Sequence, residues 1–422
     1  MRQLAGSLAV IGIVALAAND VFAQDSGVQR AGTEIRAERT VTMTEPVYKR
    51  LTQIHEFMGD GQLDEALKRL GGLQKGRLSA YENALVLQTY GFIYAQQGNY
   101  SPAIDAFEAC IALDALPNIA QQGMLYSLAG LYGAEDRFQD AVNVMTTWFK
   151  YAQEPVPANA YMLVGSSYSE LDDYVKALPY VMEAIKRSED PKESWYQLAL
   201  AINFEREDFG EAAKLLGTMV VIWPDRPRNW EMLSSAYMEL KQDHNALATL
   251  MLAYQKGLIQ EENKLLNLVK MNMFLEIPFE AGRILEAEMN NGKIEKTESN
   301  LELLLSAWTS AREFDKAIQV IDVLAPMVGS GDYYWQRAQL FNEKANWPEV
   351  ISSVTEALER GGLKRPGEAY VLMGMAHAEI REFDRAIAAF EQAKSHGDDA
   401  RRNAAAWIEY VNDRRQVALA RN

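Results

Sequence analysis

The hydrophobic positions of this chain follow a helical spacing from about residue 46 almost to its end. Apolar or small residues recur three and four positions apart, as in Leu87, Tyr90, Gly91 and Tyr94. That spacing places them on one face of an α-helix. The strict alternation of apolar and polar residues that marks a half-buried strand is found nowhere. The pattern therefore predicts an all-α protein.

One sequence phrase recurs along the chain and predicts repeated helix pairs. It consists of a polar turn, an aromatic residue, a small residue three positions later, and apolar residues four and seven positions further on. The small residues define ten anchors, which are Ala66, Ala103, Ala141, Ala177, Ala212, Ala246, Ala281, Ala317, Val350 and Ala386. A helix pair of this length cannot cover its own apolar face, so each pair needs a neighbour.

Small residues in the first helix of each pair predict a close approach of the two helices. They are Gly91, Ala129, Gly165, Ala199 and Gly374. We expect the anchor to face this position from the second helix. The final segment is amphipathic and carries one apolar stripe, formed by Ala404, Trp407, Ile408 and Val411. It is predicted to cover the apolar face of the last pair.

These residues are those of the tetratricopeptide-repeat (TPR) consensus, which residues 46–395 resemble in about ten repeats. The resemblance implies an all-α, right-handed superhelical solenoid of α-α repeats, with residues 398–422 as a C-terminal capping helix. It also implies a groove lined by the first helix of each repeat. The groove positions of the family fall here on Tyr126, Tyr196, Asn203, Glu231, Glu302, Trp335, Asn342 and Glu379.

The N-terminus has the pattern of a cleaved signal peptide over residues 1–23. Arg2 precedes an uncharged run, Leu4 to Ala18, and Val21 and Ala23 stand at the −3 and −1 positions of a cleavage site. The run is short for a membrane span, which favours cleavage after Ala23 over a retained anchor. Residues 24–45 are polar and lack periodicity, so they are expected to form a flexible segment.

The charge balance narrows the class of partner. Lys and Arg total 42 against 58 Asp and Glu, a formal net charge of −16. Nucleic acid and anionic lipid would be repelled, whereas a basic protein segment would be attracted. Cys110 is the single cysteine, so neither an intramolecular disulfide nor a zinc site made of cysteines can form. We expect Cys110 to be buried as a small apolar residue.

No arrangement of chemistry-bearing residues in the sequence indicates catalysis. The four histidines, His55, His244, His377 and His396, lack the spacing of metal ligands. Phosphate-binding glycine loops and nucleophile elbows are not found. The sequence therefore predicts a protein that is not an enzyme, with no catalytic residue, no cofactor and no metal.

Several segments outside the repeat consensus resemble a narrower family, the periplasmic TPR proteins that accompany TonB-type energy-transduction systems of Gram-negative bacteria. They are ALPYVMEAIK (177–186), AYQKGLIQEENKLLNLVKM (253–271), GRILEAEMNNGKIEKTESNLELLLSAW (282–308), ALERGGLKRPGEAYVLMGMA (357–376) and AAAWIEYV (404–411). The resemblance implies a soluble periplasmic scaffold that assists uptake of iron–siderophore complexes or similar nutrients. The acidic charge adds an expected partner, the basic Lys/Pro-rich periplasmic segment of a TonB-like protein.

Three alternatives stay open at the level of sequence. The chain could be a scaffold for another envelope assembly, such as outer-membrane, cell-wall or pilus machinery, and gene neighbourhood would distinguish these. It could be a cytoplasmic TPR regulator if residues 1–23 are not a signal peptide, which fractionation would show. An enzyme with catalytic residues spread over the groove is the third, and it would lose turnover on mutation of acidic groove residues. The partner, the nutrient and the oligomeric state are not determined.

Overall fold

A computed structural model of the protein describes residues 27–39 and 41–420, with side chains as far as residue 417. The predicted signal peptide, residues 1–23, lies outside the described residues. Over the described ranges the chain consists of helices, turns and loops without a strand, which confirms the predicted all-α fold. None of the helices described there is both long enough and apolar enough to cross a membrane. The chain divides into two compact units between Met219 and Val220, and each is described by itself.

Unit 1 contains five successive helix pairs, and in the first four of them the odd-numbered first helix packs on the second helix that follows it. Its helices are α1 (Glu45–Gly59), α2 (Leu63–Gln74), α3 (Ala80–Gln96), α4 (Tyr100–Ala112), α5 (Asn118–Ala134), α6 (Phe138–Tyr151), α7 (Ala158–Glu170), α8 (Tyr174–Arg187), α9 (Glu193–Glu205) and α10 (Phe209–Ile222), the last of which runs past the unit boundary. From α2 to α9, each second helix also packs on the first helix of the next pair. Stacked pairs therefore share one core within this unit.

Unit 2 repeats the arrangement with five further pairs and one final helix. Its helices are α11 (Pro227–Glu239), α12 (Asp243–Gln255), α13 (Glu262–Phe274), α14 (Pro278–Asn290), α15 (Glu298–Ser310), α16 (Phe314–Val328), α17 (Gly331–Glu343), α18 (Trp347–Arg360), α19 (Pro366–Glu379), α20 (Phe383–Ala393) and α21 (Asp398–Ala420). As predicted, α21 covers the last pair: Ala404 and Val411 are fully buried, and the Trp407 ring stacks on Phe390 with centroids 6.0 Å apart.

The turn inside each of the ten described helix pairs is built in the same way. The residue two positions before every second helix has a positive φ angle; these residues are Gly61, Gly98, Asp136, Asp172, Glu207, Lys241, Glu276, Arg312, Ala345 and Arg381. The next N–H closes the end of the first helix, as Asn99 N donates to Tyr94 O at 2.8 Å and Glu382 N donates to His377 O at 2.8 Å. This is the hydrogen bond of a Schellman motif, so the sequence repeat corresponds to a repeated helix ending.

Glycine in the first helix allows the close approach that the sequence predicts. A Cβ atom on Gly91 would lie 2.0 Å from Cε1 of Phe107, and one on Gly374 would lie 2.6 Å from Cε1 of Phe390. In both pairs the nearest side chain belongs to the apolar residue four positions after the anchor, while in α7–α8 the anchor oxygen Ala177 O would itself lie 3.3 Å from a Cβ atom on Gly165. Residues four apart share one helix face, so the anchor lies one turn away on the same stripe.

The N-terminal segment differs from the flexible lead-in that the sequence predicts. Residues 27–39, which we call the strap, lie without regular secondary structure against unit 1. Gly32 N donates to Phe149 O at 3.0 Å and Glu34 N donates to Lys150 O at 2.9 Å. Carbonyl groups at the end of α6 lack the full set of helical hydrogen bonds, and the strap supplies donors to two of them; Phe149 O also accepts from the N–H of Ala152 at 3.3 Å. Periodicity analysis cannot detect contacts of this kind.

Candidate partner-binding surface

All eight groove residues expected from the sequence lie on first helices. Their positions are Tyr126 on α5, Tyr196 and Asn203 on α9, Glu231 on α11, Glu302 on α15, Trp335 and Asn342 on α17, and Glu379 on α19. The first three belong to unit 1 and the other five to unit 2.

In unit 1, two of the three expected residues are occupied by packing. Tyr196 is 7% exposed and Asn203 is 2% exposed. The Asn203 side-chain amide donates to Ala199 O, one turn earlier in the same helix, at 2.9 Å. Tyr126 is half-buried, its ring lies 6.0 Å from that of Trp148, and burial raises the pKa of its hydroxyl. Tyr126 is therefore the expected residue of unit 1 that leaves side-chain surface for a partner.

In unit 2, two of the three expected carboxylates are paired with cations of the same chain. Glu231 Oε1 lies 2.8 Å from Lys264 Nζ, the ammonium nitrogen of a residue on α13. Glu379 Oε1 lies 3.2 Å from Arg414 Nη1, on the capping helix α21. A partner cation at either position would exchange one ion pair for another, so these carboxylates contribute less attraction than the sequence suggests.

The third carboxylate, Glu302, has a neutral hydrogen-bond donor. Its Oε1 atom accepts a hydrogen bond from the Tyr333 hydroxyl at 2.6 Å. Burial, together with this hydrogen bond to Glu302, raises the pKa of Tyr333, so the donor stays neutral. Because a neutral donor does not cancel the carboxylate charge, Glu302 can still attract a basic group.

Trp335 and Asn342 lie on α17, the next first helix of unit 2 after α15, which carries Glu302. Both are half-buried, and the two residues are seven positions apart on α17, so they share one face of that helix. Trp335 packs in part against the core cluster that contains Val354 and Leu372. The two helices together present an aromatic ring, an amide and a carboxylate. These groups can bind an extended peptide, because an aromatic ring can contact a peptide side chain and an amide can hydrogen-bond to the peptide backbone.

The titratable groups of the described residues show no arrangement for catalysis or metal binding. Residues 27–39 and 41–417 contain no group of three His, Cys, Asp or Glu side chains able to hold a metal ion. The His377 ring nitrogen Nδ1 lies 2.7 Å from Oε2 of Glu382, in the turn between α19 and α20. Cys110 is fully buried, and burial raises the pKa of its thiol to about 11, which makes it unreactive.

The sequence reasoning missed a second surface in unit 1. Arg36 of the strap enters the loop between α4 and α5, where it contacts Asp114, Leu116 and Asn118. A cavity of about 750 Å³ lies beside it. The available signal was the group of arginines within the first 39 residues of a strongly acidic chain, because an acidic surface attracts such a segment.

Three segments match the tetratricopeptide repeat family. They are residues 84–115, 158–191 and 367–395, and they fall on the pairs α3–α4, α7–α8 and α19–α20. Repeats of this family are typically non-catalytic scaffolds that bind peptides or proteins. No curated protein matches the sequence.

Among solved structures, MamA residues 41 to the end from Desulfovibrio magneticus RS-1 share 18% identity, with 42% of this chain and 96% of that chain covered and a TM-score of 0.36. YrrB, described as a TPR protein with an unusual peptide-binding site, shares 14% identity, with 40% and 82% covered and a TM-score of 0.34. The TPR domain of P58(IPK) shares 12%, with 88% and 99% covered and a TM-score of 0.25. From the repeat matches and the helix pairs, the chain is an all-helical protein that contains tetratricopeptide repeats.

Proposed function

We propose that this protein is a non-catalytic scaffold of the periplasm that holds other proteins, as an accessory component of a TonB-dependent energy-transduction and nutrient-uptake system. The scaffold role is supported by the tetratricopeptide repeats, since such repeats present extended surfaces to protein partners. The observation that carries it is the accessible group of Glu302, Trp335 and Asn342 on the neighbouring first helices α15 and α17.

The proposed partner is a basic, Lys/Pro-rich periplasmic segment of a TonB-like protein. Such a segment is extended and keeps its backbone solvated, so it enters a groove with little loss of conformational freedom. The formal net charge of −16 favours its approach, and the net charge of Glu302 provides a local contact for an ammonium group. Trp335, on the next first helix, provides a separate contact for a cation of the segment, because cations are attracted to aromatic faces. The TonB connection itself rests on the sequence resemblance.

The test is a binding titration with a synthetic Lys/Pro-rich peptide from a TonB-like protein, at low and high salt. Glu302→Gln removes the charge and keeps the shape of the side chain. We expect it to weaken binding at low salt by about fivefold, the effect of roughly 1 kcal/mol for a partly exposed ion pair. Glu349→Gln is the matched control, because Glu349 is exposed on the second helix α18 of the same unit. Binding that ignores salt, or equal effects of the two variants, would contradict the proposed electrostatic contact.

The proposed periplasmic location depends on cleavage of residues 1–23. Expression in a Gram-negative host, followed by fractionation and N-terminal sequencing, tests it directly. We expect the periplasmic form to begin at Gln24. An uncleaved protein in the cytoplasmic fraction would instead favour the cytoplasmic TPR regulator.

Other envelope assemblies remain the main alternative for the same scaffold. An accessible peptide-binding face serves outer-membrane, cell-wall or pilus machinery equally well, because the repeats do not encode the identity of the partner. Gene neighbourhood separates these possibilities. Neighbouring genes for TonB and its motor subunits would favour the uptake system, whereas pilus or cell-wall genes would replace it. Co-purification from the periplasm with identification by mass spectrometry provides an independent answer.

A further inference from the structure

The strap is attached to unit 1 by contacts that many peptides could make. Backbone N–H groups of Gly32 and Glu34 donate to Phe149 O and Lys150 O, at 3.0 and 2.9 Å. These carbonyl groups belong to the last turn of α6, where the regular helical donors four residues later are missing. Because backbone donors make these two bonds, the sequence of the strap contributes little to them. Another non-helical segment could replace it here.

Arg39 of the strap pairs with Asp114, but the strap side chain with the most contacts is Arg36. Its Nε atom donates to Oδ1 of Asp114, and its Nη1 atom donates to Leu116 O and to Oδ1 of Asn118, each at 2.9 Å. We call Asp114, Leu116 and Asn118 the arginine socket. The hydrogen bond from Arg36 holds the pKa of Asp114 below its usual value, so the socket is anionic. Acceptors arranged around a planar fork select a guanidinium group over an ammonium group.

The strap can leave without opening the core. None of its side chains is buried, the Ile35 side chain is 98% exposed, and even the Arg36 side chain keeps 12% of its surface in solvent. Ordering a segment of this length costs conformational entropy, and each hydrogen bond near the surface returns little net free energy. Attachment is therefore favoured only modestly, so the strap occupies its site in most chains but can be displaced.

The cavity beside the strap indicates a ligand that makes more contacts than the strap does. It has a volume of about 750 Å³, and strap residue Ala31 and the α5 residues Gln121 and Gln122 are among its lining. Within the described residues, the side-chain oxygens Oε1 of Gln121 and Gln122 have no hydrogen-bond donor, although Gln121 is only 7% exposed. Buried acceptors are normally satisfied, because an unpaired one is unfavourable. These two oxygens remain available to N–H groups of a ligand.

We propose that the arginine socket and the adjoining cavity form a docking site for a non-helical, arginine-bearing segment of a partner protein, and that the strap occupies this site in the free chain. The partner's guanidinium replaces that of Arg36, so the ion pair is exchanged rather than lost. Its additional N–H groups reach the oxygens of Gln121 and Gln122, which gives the partner an advantage over the strap. This site belongs to unit 1, whereas Glu302, Trp335 and Asn342 belong to unit 2, so it does not depend on the proposed function.

The test uses a fluorescent synthetic peptide of strap residues 27–39 as the probe and the full chain as the receptor. Fluorescence anisotropy reports binding. In the Arg36→Ala chain the strap loses its guanidinium contacts with Leu116 and Asn118 and keeps only the guanidinium contact of Arg39 with Asp114. Because the strap then occupies the socket less, we expect this chain to bind the probe about tenfold more tightly than the wild-type chain does. Adding Asp114→Asn to the same chain should remove this gain. Arg30→Ala is the matched control, because Arg30 is an exposed arginine of the same strap.

Hydrogen exchange provides a second readout that is independent of the probe. In the Arg36→Ala chain the amides of Gly32 and Glu34 should exchange faster, while amides in the helices keep their protection. A probe that carries Arg36→Ala itself should bind no variant. Equal binding of the unmodified probe to the wild-type and Arg36→Ala chains, or no binding to either, would overturn the proposal. So would unchanged exchange at Gly32 and Glu34.

Discussion

Replacing Gly91 by Ala tests whether close approach of the two helices of a pair is required for stability. Gly91 lies within α3, where Ala is a better helix former by about 1 kcal/mol. From helix propensity alone, Gly91→Ala should therefore stabilise the protein. The tertiary structure predicts that the substitution destabilises the protein, because the new Cβ atom would lie 2.0, 2.2 and 2.9 Å from three ring atoms of Phe107.

The size of the effect follows from those distances. Ordinary van der Waals contact of a Cβ atom begins at 3.4 Å, so the Phe107 ring has to move by about 1.5 Å. The ring is 1% exposed and packed on all sides, and overpacking of this kind costs about 1–3 kcal/mol. Three close ring atoms place the cost at the upper end, about 3 kcal/mol. After subtraction of the helix-propensity gain, Gly91→Ala should lower the free energy of unfolding by about 2 kcal/mol.

Urea unfolding followed by circular dichroism measures this change. Gly130→Ala is the matched control, because Gly130 is exposed in the next first helix, α5, and a Cβ atom added there would have no other atom within 4 Å. It should raise the free energy of unfolding by up to about 1 kcal/mol. Replacing the facing ring by a smaller side chain, with Phe107→Leu, should recover part of the lost stability in the double variant. A Gly91→Ala protein as stable as the Gly130→Ala protein would refute the packing argument.

Three further outcomes can be measured on the same protein. The Glu82 carboxylate accepts hydrogen bonds from the N–H groups of Ser79 and Thr44, which lower its pKa from 4.5 to about 2. Since the folded pKa lies below the unfolded one, this stabilisation is complete above the unfolded pKa and disappears as the pH falls through about 2. Glu82→Gln should therefore cost about 3 kcal/mol in urea unfolding at pH 7 and almost nothing at pH 2; a loss independent of pH would contradict this. Ala345→Gly should raise the free energy of unfolding by roughly 0.5 kcal/mol, because Ala345 has a φ of 51° that favours glycine; a lower melting temperature would count against it. The Cys110 thiol should resist a thiol reagent at pH 8 in the native protein and react in urea, and rapid native labelling would show that it is not buried.

The groove residues show how far sequence reasoning reaches. Their assignment to first helices follows from the repeat register, and the structure has all eight there. Register does not determine exposure, however, because Tyr196 and Asn203 are covered by neighbouring side chains. It also does not determine charge pairing. Glu379 pairs with Arg414 of the capping helix, and that choice depends on how α21 packs on α19.

The sequence by itself determined the all-helical class, the repeat period, the small residues between paired helices and the final covering helix. These properties depend on local periodicity and on turn conformation, which a few neighbouring residues specify. Only the tertiary structure decided which carboxylates are neutralised, which expected groove residues are buried, and where the strap lies. Arg36 meets Asp114 through a contact between segments distant along the chain. Contacts of that kind depend on how the helix ends are arranged in the folded chain. The periodicity of the sequence does not specify that arrangement.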